Sequence, residues 1–291
     1  MIPPFAALIG AWLLNAAWPL VAADGLKFFS VVLFMHGGIL IGLAVLLPWL
    51  VPAERRRWIW RMQTFKPLLM ITLVNGLASL IYLKAVCYTT PANAAVMAQS
   101  EVLYSAVLSV LFLGESIGPA QVAASLLVMT GTGLIMIHDL GSLRWKGDLM
   151  IAATPWMYQV GHVMAKRLPK DFDPVTMSAI RLLYAAILMI PLSWWVLAHG
   201  GRWEFSGPAV SILLAQGVFI NALALSLWYL AILRMDLAKS TAFLLSYPAL
   251  TMTFSWLLGF EKISAIQVAG LAVTLSGAWW LSRLHLNGVR H

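Results

Sequence analysis

The chain has 291 residues, of which 61% are hydrophobic and 10% are charged, and its mean hydropathy is +0.86. Soluble domains carry about 25% charged residues, so this chain has too few polar side chains for a water-soluble surface and is predicted to be an integral membrane protein. The net charge of +8 does not indicate a nucleic-acid partner, because the basic residues cluster in short loops. The single cysteine excludes an intrachain disulfide.

Ten apolar segments are long enough to be membrane helices, because about 20 residues, each rising about 1.5 Å, cross the hydrocarbon. Helices satisfy their own backbone polar groups in lipid, and the alternating pattern of a barrel strand is absent from the sequence. In chain order the predicted segments are 3–22, 27–51, 66–87, 92–113, 119–137, 147–166, 174–198, 208–232, 238–259 and 264–284. The predicted fold is therefore all-α, with ten transmembrane helices.

The linker between the second and third segments, residues 52–65, holds Arg55, Arg56, Arg57 and Arg61. With a cytoplasmic N-terminus, the cytoplasmic loops hold twelve Lys and Arg residues and the opposite loops hold five. Basic residues concentrate in the cytoplasmic loops of membrane proteins, so both termini are predicted to be cytoplasmic.

Two charges interrupt the apolar stretch SLIYLKAVCYTTPANAAVMAQSEVLYSAVLSVLFLGE, residues 79–115. Glu101 is predicted about 15 Å along the fourth helix, near the midplane, where a charge costs at least about 2.5 kcal/mol and usually faces a cavity or a partner. We interpret it as a functional cavity residue, with a buried structural pair as the alternative. Burial favours a neutral carboxyl group, so Glu101 is also a candidate carrier of a coupling proton. Lys84 lies near the periplasmic end of the third helix, where it either snorkels to the interface or joins the site, and a direct pair with Glu101 is possible but not required.

The sequence repeats at a spacing of 146 residues. Glu115 aligns with Glu261, and QVA at 121–123 aligns with QVA at 267–269. Chance matching of common residues is the alternative, but the run from the glutamate to QVA recurs at identical spacing.

Each half of the chain, residues 1–140 and 147–285, holds five predicted helices. Because five is odd, the second half enters the membrane from the opposite side, so the prediction is two inverted five-helix repeats with a substrate site near the midplane. The motifs GTG at 131–133 and SGA at 276–278 permit close helix contact. The fifth and tenth helices are therefore predicted packing elements and a possible homodimer face.

These patterns resemble the EamA type of the drug/metabolite transporter superfamily over nearly the whole chain. In that family the third helix often ends in a pattern like A-L-x-Y-T-S-A, and residues 85–91 read AVCYTTP here. The fourth helix of that family often carries E-P and closes with L-G-E. Here Glu101 is followed by Val102 in place of the proline, and residues 113–115 read LGE. The second half keeps the proline, as Tyr247-Pro248. The resemblance implies ten helices in two EamA repeats and a bacterial inner-membrane transporter of small organic metabolites, often an exporter.

The candidate substrate-binding residues are the charged, amide and aromatic side chains inside the apolar segments. Residues about one helical turn apart share a face, as in the pairs Asn15 with Trp18 and Gln159 with His162, although a lone histidine is more often structural. Arg181 lies early in the seventh helix, from where it also reaches toward the cytoplasmic interface. The full predicted set is Glu101, Lys84, Trp18, Asn15, Tyr82, His162, Gln159, Tyr158, Tyr247 and Arg181.

These side chains favour a substrate that carries charge on an apolar body, such as an amino acid or a related zwitterionic or carboxylated compound. A cationic amine or drug, held by Glu101 and aromatic faces, is the alternative. The sequence contains no phosphate-binding G-x-x-x-x-G-K-[ST] motif and no Cys/His cluster with metal-ligand spacing, so no cofactor or metal is predicted. The predicted partners are a small-molecule substrate, the lipid bilayer and possibly a coupling proton.

An enzymatic function is the runner-up class. The stretch GESIG at 114–118 matches the nucleophile motif G-x-S-x-G, but that motif requires a strand–turn–helix, and here it falls in a loop between two predicted membrane helices. A membrane-embedded lipid-modifying enzyme that uses Glu101 or a histidine as acid and base remains the alternative, and a structural or sensory membrane protein is the third.

Overall fold

The computed structural model describes residues 2–89, 97–136, 144–257 and 264–288. Within those ranges the regular secondary structure is helical, apart from an isolated bridge between Phe29 and Trp203. In the described part of the chain, six helices are long and apolar enough to cross a membrane, namely Pro4–Phe28, Val31–Leu50, Met62–Ala85, Pro174–Ala198, Gly207–Ile232 and Ala265–Leu284. The prediction of an all-α membrane protein is confirmed.

Every predicted apolar segment overlaps at least one observed helix. The helices are α1 Pro4–Phe28, α2 Val31–Leu46, α3 Ala53–Trp60, α4 Met62–Val86, α5 Ser100–Leu113, α6 Pro119–Met136, α7 Trp145–Ala152, α8 Pro155–Lys166, α9 Pro174–Ala198, α10 Gly207–Ala215, α11 Leu225–Ile232, α12 Leu237–Leu244, α13 Tyr247–Leu257 and α14 Ala265–Gly288. A 3₁₀ turn, Leu47–Leu50, continues α2, and a π-helical stretch, Gln216–Ala224, joins α10 to α11.

Two segments predicted as single helices are each broken in two. The segment 147–166 forms α7 and α8, and the segment 238–259 contains α12 and α13. Each second piece has a proline at its start, Pro155 or Pro248, where the missing amide hydrogen costs no helical bond. Because proline lacks an amide hydrogen, it can begin the second helix but cannot continue the first one.

The chain forms two compact units, each built from two separate stretches. Unit 1 comprises Met1–Leu80 and Met164–Leu233, and unit 2 comprises Ile81–Val163 and Arg234–His291. Each unit thus takes one stretch from either half of the sequence. The two predicted repeats describe similarity between the two halves of the sequence. The division into compact units does not test that similarity, so the repeats stay a prediction.

In unit 1, glycines on α2 allow the π-helical stretch to approach closely. A Cβ atom on Gly38 would lie 2.7 Å from the side chain of Gln216, and one on Gly42 would lie 3.0 Å from the carbonyl oxygen of Gly217. Helix α9 also contacts α2, and α1 contacts α11. Close contact through small residues is typical of helices that associate in lipid.

In unit 2, α6 and α14 pack along a glycine seam. A Cβ atom on Gly131 would lie 2.8 Å from the carbonyl oxygen of Gly270, and one on Gly277 would lie 2.9 Å from the carbonyl oxygen of Ala124. The close helix contact predicted from GTG and SGA is confirmed for Gly131 and Gly277.

The loop after α5 carries a helix cap. The carboxylate of Glu115 accepts hydrogen bonds from the backbone amides of Leu237 at 2.7 Å and Ala238 at 3.1 Å, at the start of α12. The positive end of a helix dipole stabilises a carboxylate, and Glu115 in this way caps a helix that is distant in the sequence. Its counterpart in the sequence repeat, Glu261, lies outside the described residues.

Replacing Gly131 by alanine is expected to destabilise the protein by about 1–3 kcal/mol, because the added methyl group has no room between α6 and α14. Thermal unfolding of the purified protein in detergent measures the effect. The matched control is Gly133→Ala on the same helix, where no atom lies within 4 Å of the added carbon. Equal unfolding temperatures for the two variants would contradict the tight seam.

Candidate functional site

The polar centre of unit 2 lies where two helices begin. Helix α5 starts after Gln99, which forms a turn, and α13 starts after the turn residues Leu245 and Ser246. The side-chain Nε2 of Gln99 donates to the carbonyl oxygen of Leu245 at 3.0 Å. The turn between α12 and α13 leaves the carbonyl oxygen of Leu245 without a helical partner. The amide of Gln99 supplies the hydrogen-bond donor that lipid cannot supply.

Glu101 is the second residue of α5 and is half-buried. The Nε2 of Gln159, on α8, donates to Glu101 Oε1 at 2.8 Å and lies 3.4 Å from Thr241 Oγ1, on α12. Gln159 is completely buried. Because an amide nitrogen carries two hydrogens, Gln159 serves both acceptors and ties three helices to one carboxylate.

Two tyrosines interact electrostatically with this carboxylate. The side chains of Tyr82 and Tyr247 lie close enough to Glu101 to interact with it electrostatically, and Tyr247 also interacts in this way with Tyr158. All three tyrosines are partly buried. Tyrosine offers both a hydroxyl group and a negative ring face, so these residues suit a cationic ligand with an apolar body.

Two buried amide oxygens of this centre have no hydrogen-bond partner in the described part of the chain. They are Oε1 of Gln99 and Oε1 of Gln159, and each belongs to a side chain whose nitrogen is already engaged. Buried polar atoms are normally paired, so these acceptors invite an external donor. Together with the carboxylate of Glu101 they make an acceptor-rich centre, which can bind an ammonium group or hold a proton.

The remaining predicted residue of α8, His162, is buried one turn beyond Gln159. The two residues therefore share a helix face, as predicted. In unit 2 the structure thus brings Glu101 and Gln159 together with Tyr82, Tyr158 and Tyr247, and it places His162 on the same side of α8 as Gln159.

Lys84 does not join this centre. It is exposed, and its Nζ lies 5.4 Å from the centre of the Tyr88 ring, which Lys146 Nζ also approaches at 4.1 Å. Within the described residues no ion pair links Lys84 to Glu101. An exposed ammonium over an aromatic ring is the arrangement expected of a lysine that snorkels to the interface.

Three predicted residues belong to unit 1. Asn15 donates to the carbonyl oxygen of Ala11 in its own helix at 2.7 Å, and Trp18 is half-buried on the same helix. Arg181, on α9, is buried and donates to the hydroxyl group of Tyr229, whose ring centre lies 5.1 Å from the guanidinium carbon. Arg181 therefore points into unit 1 and is not exposed at a cytoplasmic interface.

The sequence analysis missed three residues of these polar groups, namely Gln99, Thr241 and Tyr229. The repeat contained a signal for one of them. Gln99 and Leu245 are 146 positions apart, as are Glu101 and Tyr247, so the repeat spacing aligns the two helix starts. Thr241 and Tyr229 were not in the predicted set, and only the structure places Thr241 beside Gln159 and Tyr229 beside Arg181.

Comparison with known proteins gives a consistent picture. The EamA-like transporter family matches the chain twice, over residues 3–137 and 145–283. The chain is 23% identical over 69% of its length to an "Uncharacterized transporter YetK" of Bacillus subtilis, and 25% identical over 62% to a "Probable terminal-alkyne amino-acid exporter" of Streptantibioticus cattleyicolor. It is 24% identical over 64% of its length to a WAT1-related chloroplastic protein of Arabidopsis thaliana.

These matches span 62%, 60% and 47% of the respective relatives, so the chain covers less than two thirds of their length. A crystal structure aligns with 97% of this chain and 96% of its own, with a TM-score of 0.80 and 19% sequence identity. At that identity the likeness shows the fold alone.

Replacing Gln159 by leucine is expected to lower the unfolding free energy by about 1–3 kcal/mol, because the Glu101 carboxylate loses its donor. Thermal unfolding in detergent measures the change, and Gln63→Leu, at an exposed position of α4, is the matched control. The double variant Glu101→Leu, Gln159→Leu should recover stability, since it removes both partners. Equal stability of the Gln159 variant and the control would refute the bond.

Proposed function

Because the chain belongs to the EamA-like transporter family, we propose that it is a secondary transporter that exports amino acids or related zwitterionic or carboxylated compounds across the bacterial inner membrane. The observation that carries the proposal is the Glu101 centre, in which a carboxylate and unpartnered amide oxygens lie beside tyrosine side chains. A charged residue held within a membrane segment usually marks a substrate or ion pathway. The relative named as a probable amino-acid exporter supports this substrate class.

An ammonium group fits this centre in charge and in hydrogen bonding. It has three N–H donors and no acceptor, whereas the centre offers the carboxylate of Glu101 and the amide oxygens of Gln99 and Gln159, which have no partner among the described residues. The tyrosine rings add cation–π attraction and contact for an apolar side chain. The ammonium group would thus donate to the acceptors of this centre.

The same carboxylate offers a simple way to couple transport to protons. A proton and an ammonium group compete for Glu101, because each neutralises the same charge. Release of one on a given side of the membrane therefore favours uptake of the other there. In this proposal, outward movement of substrate is exchanged for inward movement of a proton.

We propose that the architecture is ten helices in two inverted repeats, which build a substrate site at the midplane in many carriers. Reciprocal contacts in unit 2 support it. Gly131 approaches Thr274, and Gly277 approaches Val128; a shift of 146 positions converts one pair into the other. Contacts that exchange in this way are what a two-fold axis produces.

A carrier of cationic amines or drugs is the second candidate. Glu101 and the tyrosines favour it equally, because they recognise the cation and not a carboxylate. In both cases the proposal is transport without chemical change of the substrate, which separates it from a lipid-modifying enzyme.

Replacing Glu101 by glutamine is expected to reduce export by roughly tenfold to hundredfold while the protein stays folded, because glutamine still accepts from Gln159 but carries no charge. Flux of radiolabelled amino acids from proteoliposomes, with and without a pH gradient, measures the effect. Glu204→Gln, at an exposed position, is the matched control. Wild-type flux and pH dependence in a well-folded Glu101 variant would overturn the role of this carboxylate.

The orientation follows from the asymmetry of basic residues. Topology reporters fused at residue 60 should report the cytoplasm, and reporters fused at residue 202 should report the opposite side, because twelve Lys and Arg residues lie on the first side and five on the second. Reversed signals would show that the termini face outward. An intact chain carrying each reporter in a surface loop is the control for misinsertion.

A further inference from the structure

Arg181 is a buried cation that forms no ion pair within the described residues. It is the eighth residue of α9, about 10 Å from the helix start, and only 9% of its surface is exposed. Its guanidinium group donates to the Tyr229 hydroxyl, while its Nε has no acceptor in the part of the chain that the structure describes. A guanidinium group has five N–H donors, so most of its capacity is unused by described protein groups.

The acids of unit 1 are engaged elsewhere or exposed. Asp24 pairs with Lys27, and Asp173 accepts from Thr176 and Trp49. Glu54, Asp171 and Glu204 are exposed. Among the described residues, no ion pair includes Arg181.

This arrangement is costly unless an anion comes from outside the chain. Buried charges in proteins are normally paired, and an uncompensated one destabilises the fold. A second donor lies nearby in the chain: Ser226, one turn before Tyr229 on α11, has a buried hydroxyl with no partner among the described residues. An arginine fork and a serine hydroxyl are donors of the kind that recognise a carboxylate.

We propose that Arg181, oriented by Tyr229, is an anion site within unit 1 that binds the carboxylate of a small organic solute. The solute's identity as an amino acid rests on the proposed function, but the anion site does not, because it follows from a buried guanidinium group that has no ion pair among the described residues. Tyr229 acts as a positioning residue, since its hydroxyl holds one side of the guanidinium group and its ring lies against it.

The first experiment tests the anion site without knowledge of the substrate. The purified protein, in nanodiscs of phosphatidylcholine, is titrated with sodium propionate against sodium chloride at constant ionic strength, and the unfolding temperature is recorded. Wild-type protein should show saturable stabilisation by propionate, because a ligand that binds the folded state raises the unfolding temperature. Arg181→Gln should lose this response, whereas the exposed control Arg56→Gln should keep it. No response to propionate in the wild-type protein would overturn the proposal.

Two further variants keep the test decisive if Arg181→Gln does not fold. Arg181→Lys keeps the charge without the planar fork, and Tyr229→Phe keeps the ring without the hydroxyl, so each should weaken propionate binding by roughly tenfold.

A purely structural role of Arg181 makes a different prediction. An arginine with an internal partner would lose stability on substitution, whereas an unpaired one should give an Arg181→Gln protein at least as stable as wild type without ligand.

The second experiment asks which carboxylate is recognised. Binding of each proteinogenic amino acid is compared with binding of its amide, which keeps the ammonium group and lacks the carboxylate. Wild-type protein should prefer the acid by at least about tenfold, and Arg181→Gln should bind both equally. If propionate binds but no amino acid does, the anion site stands and the amino-acid function fails. If nanodiscs containing phosphatidylglycerol stabilise the protein through Arg181 while propionate does not, the anion is a lipid phosphate and the proposal is wrong.

Discussion

Hydrocarbon offers no hydrogen-bond partner to a backbone group, and this constraint determines how the polar centre of unit 2 is built. A helix interrupted within the membrane frees carbonyl oxygens that the protein itself must pair. Gln99 does this for Leu245, and it stands directly before the helix that carries Glu101. The bond that makes one helix break tolerable is therefore next to the residue on which function is proposed to depend.

The hydrogen bonds of this centre are unequally distributed, and the imbalance has chemical consequences. Gln99 and Gln159 use their amide nitrogens within the protein and keep oxygens without partners in the described residues. A polar network in a low dielectric is strong where it is satisfied and costly where it is not. The satisfied half fixes the carboxylate of Glu101 in place, and the unsatisfied half favours a ligand that brings donors and positive charge. The proposed preference for an ammonium group rests on this excess of acceptors over donors.

Much of the fold was predictable, because length and hydropathy are enough to find helices that must satisfy their backbones in lipid. The glycine seam at Gly131 and Gly277 was predictable for a similar reason, since small residues permit close contact. The outward direction of the Lys84 side chain was not predictable, because an apolar helix gives no periodic signal that identifies its inward face. The break after Gln99 was also hidden, as neither glycine nor proline marks it, and Thr241 could be placed beside Gln159 only by the fold.

The two halves of the chain carry different chemistry at equivalent positions of the 146-residue sequence repeat. At a spacing of 146 residues, Glu101 corresponds to Tyr247, so the charge of one half faces an aromatic alcohol at the equivalent place in the other. In a carrier with inverted repeats, the two halves exchange conformations when access changes sides. A site with one carboxylate does not exchange its chemistry in the same step, so in the proposed carrier the ammonium group of the substrate would stay bound to the same half throughout. The proposed carrier would therefore hold its substrate in a single orientation while access changes sides.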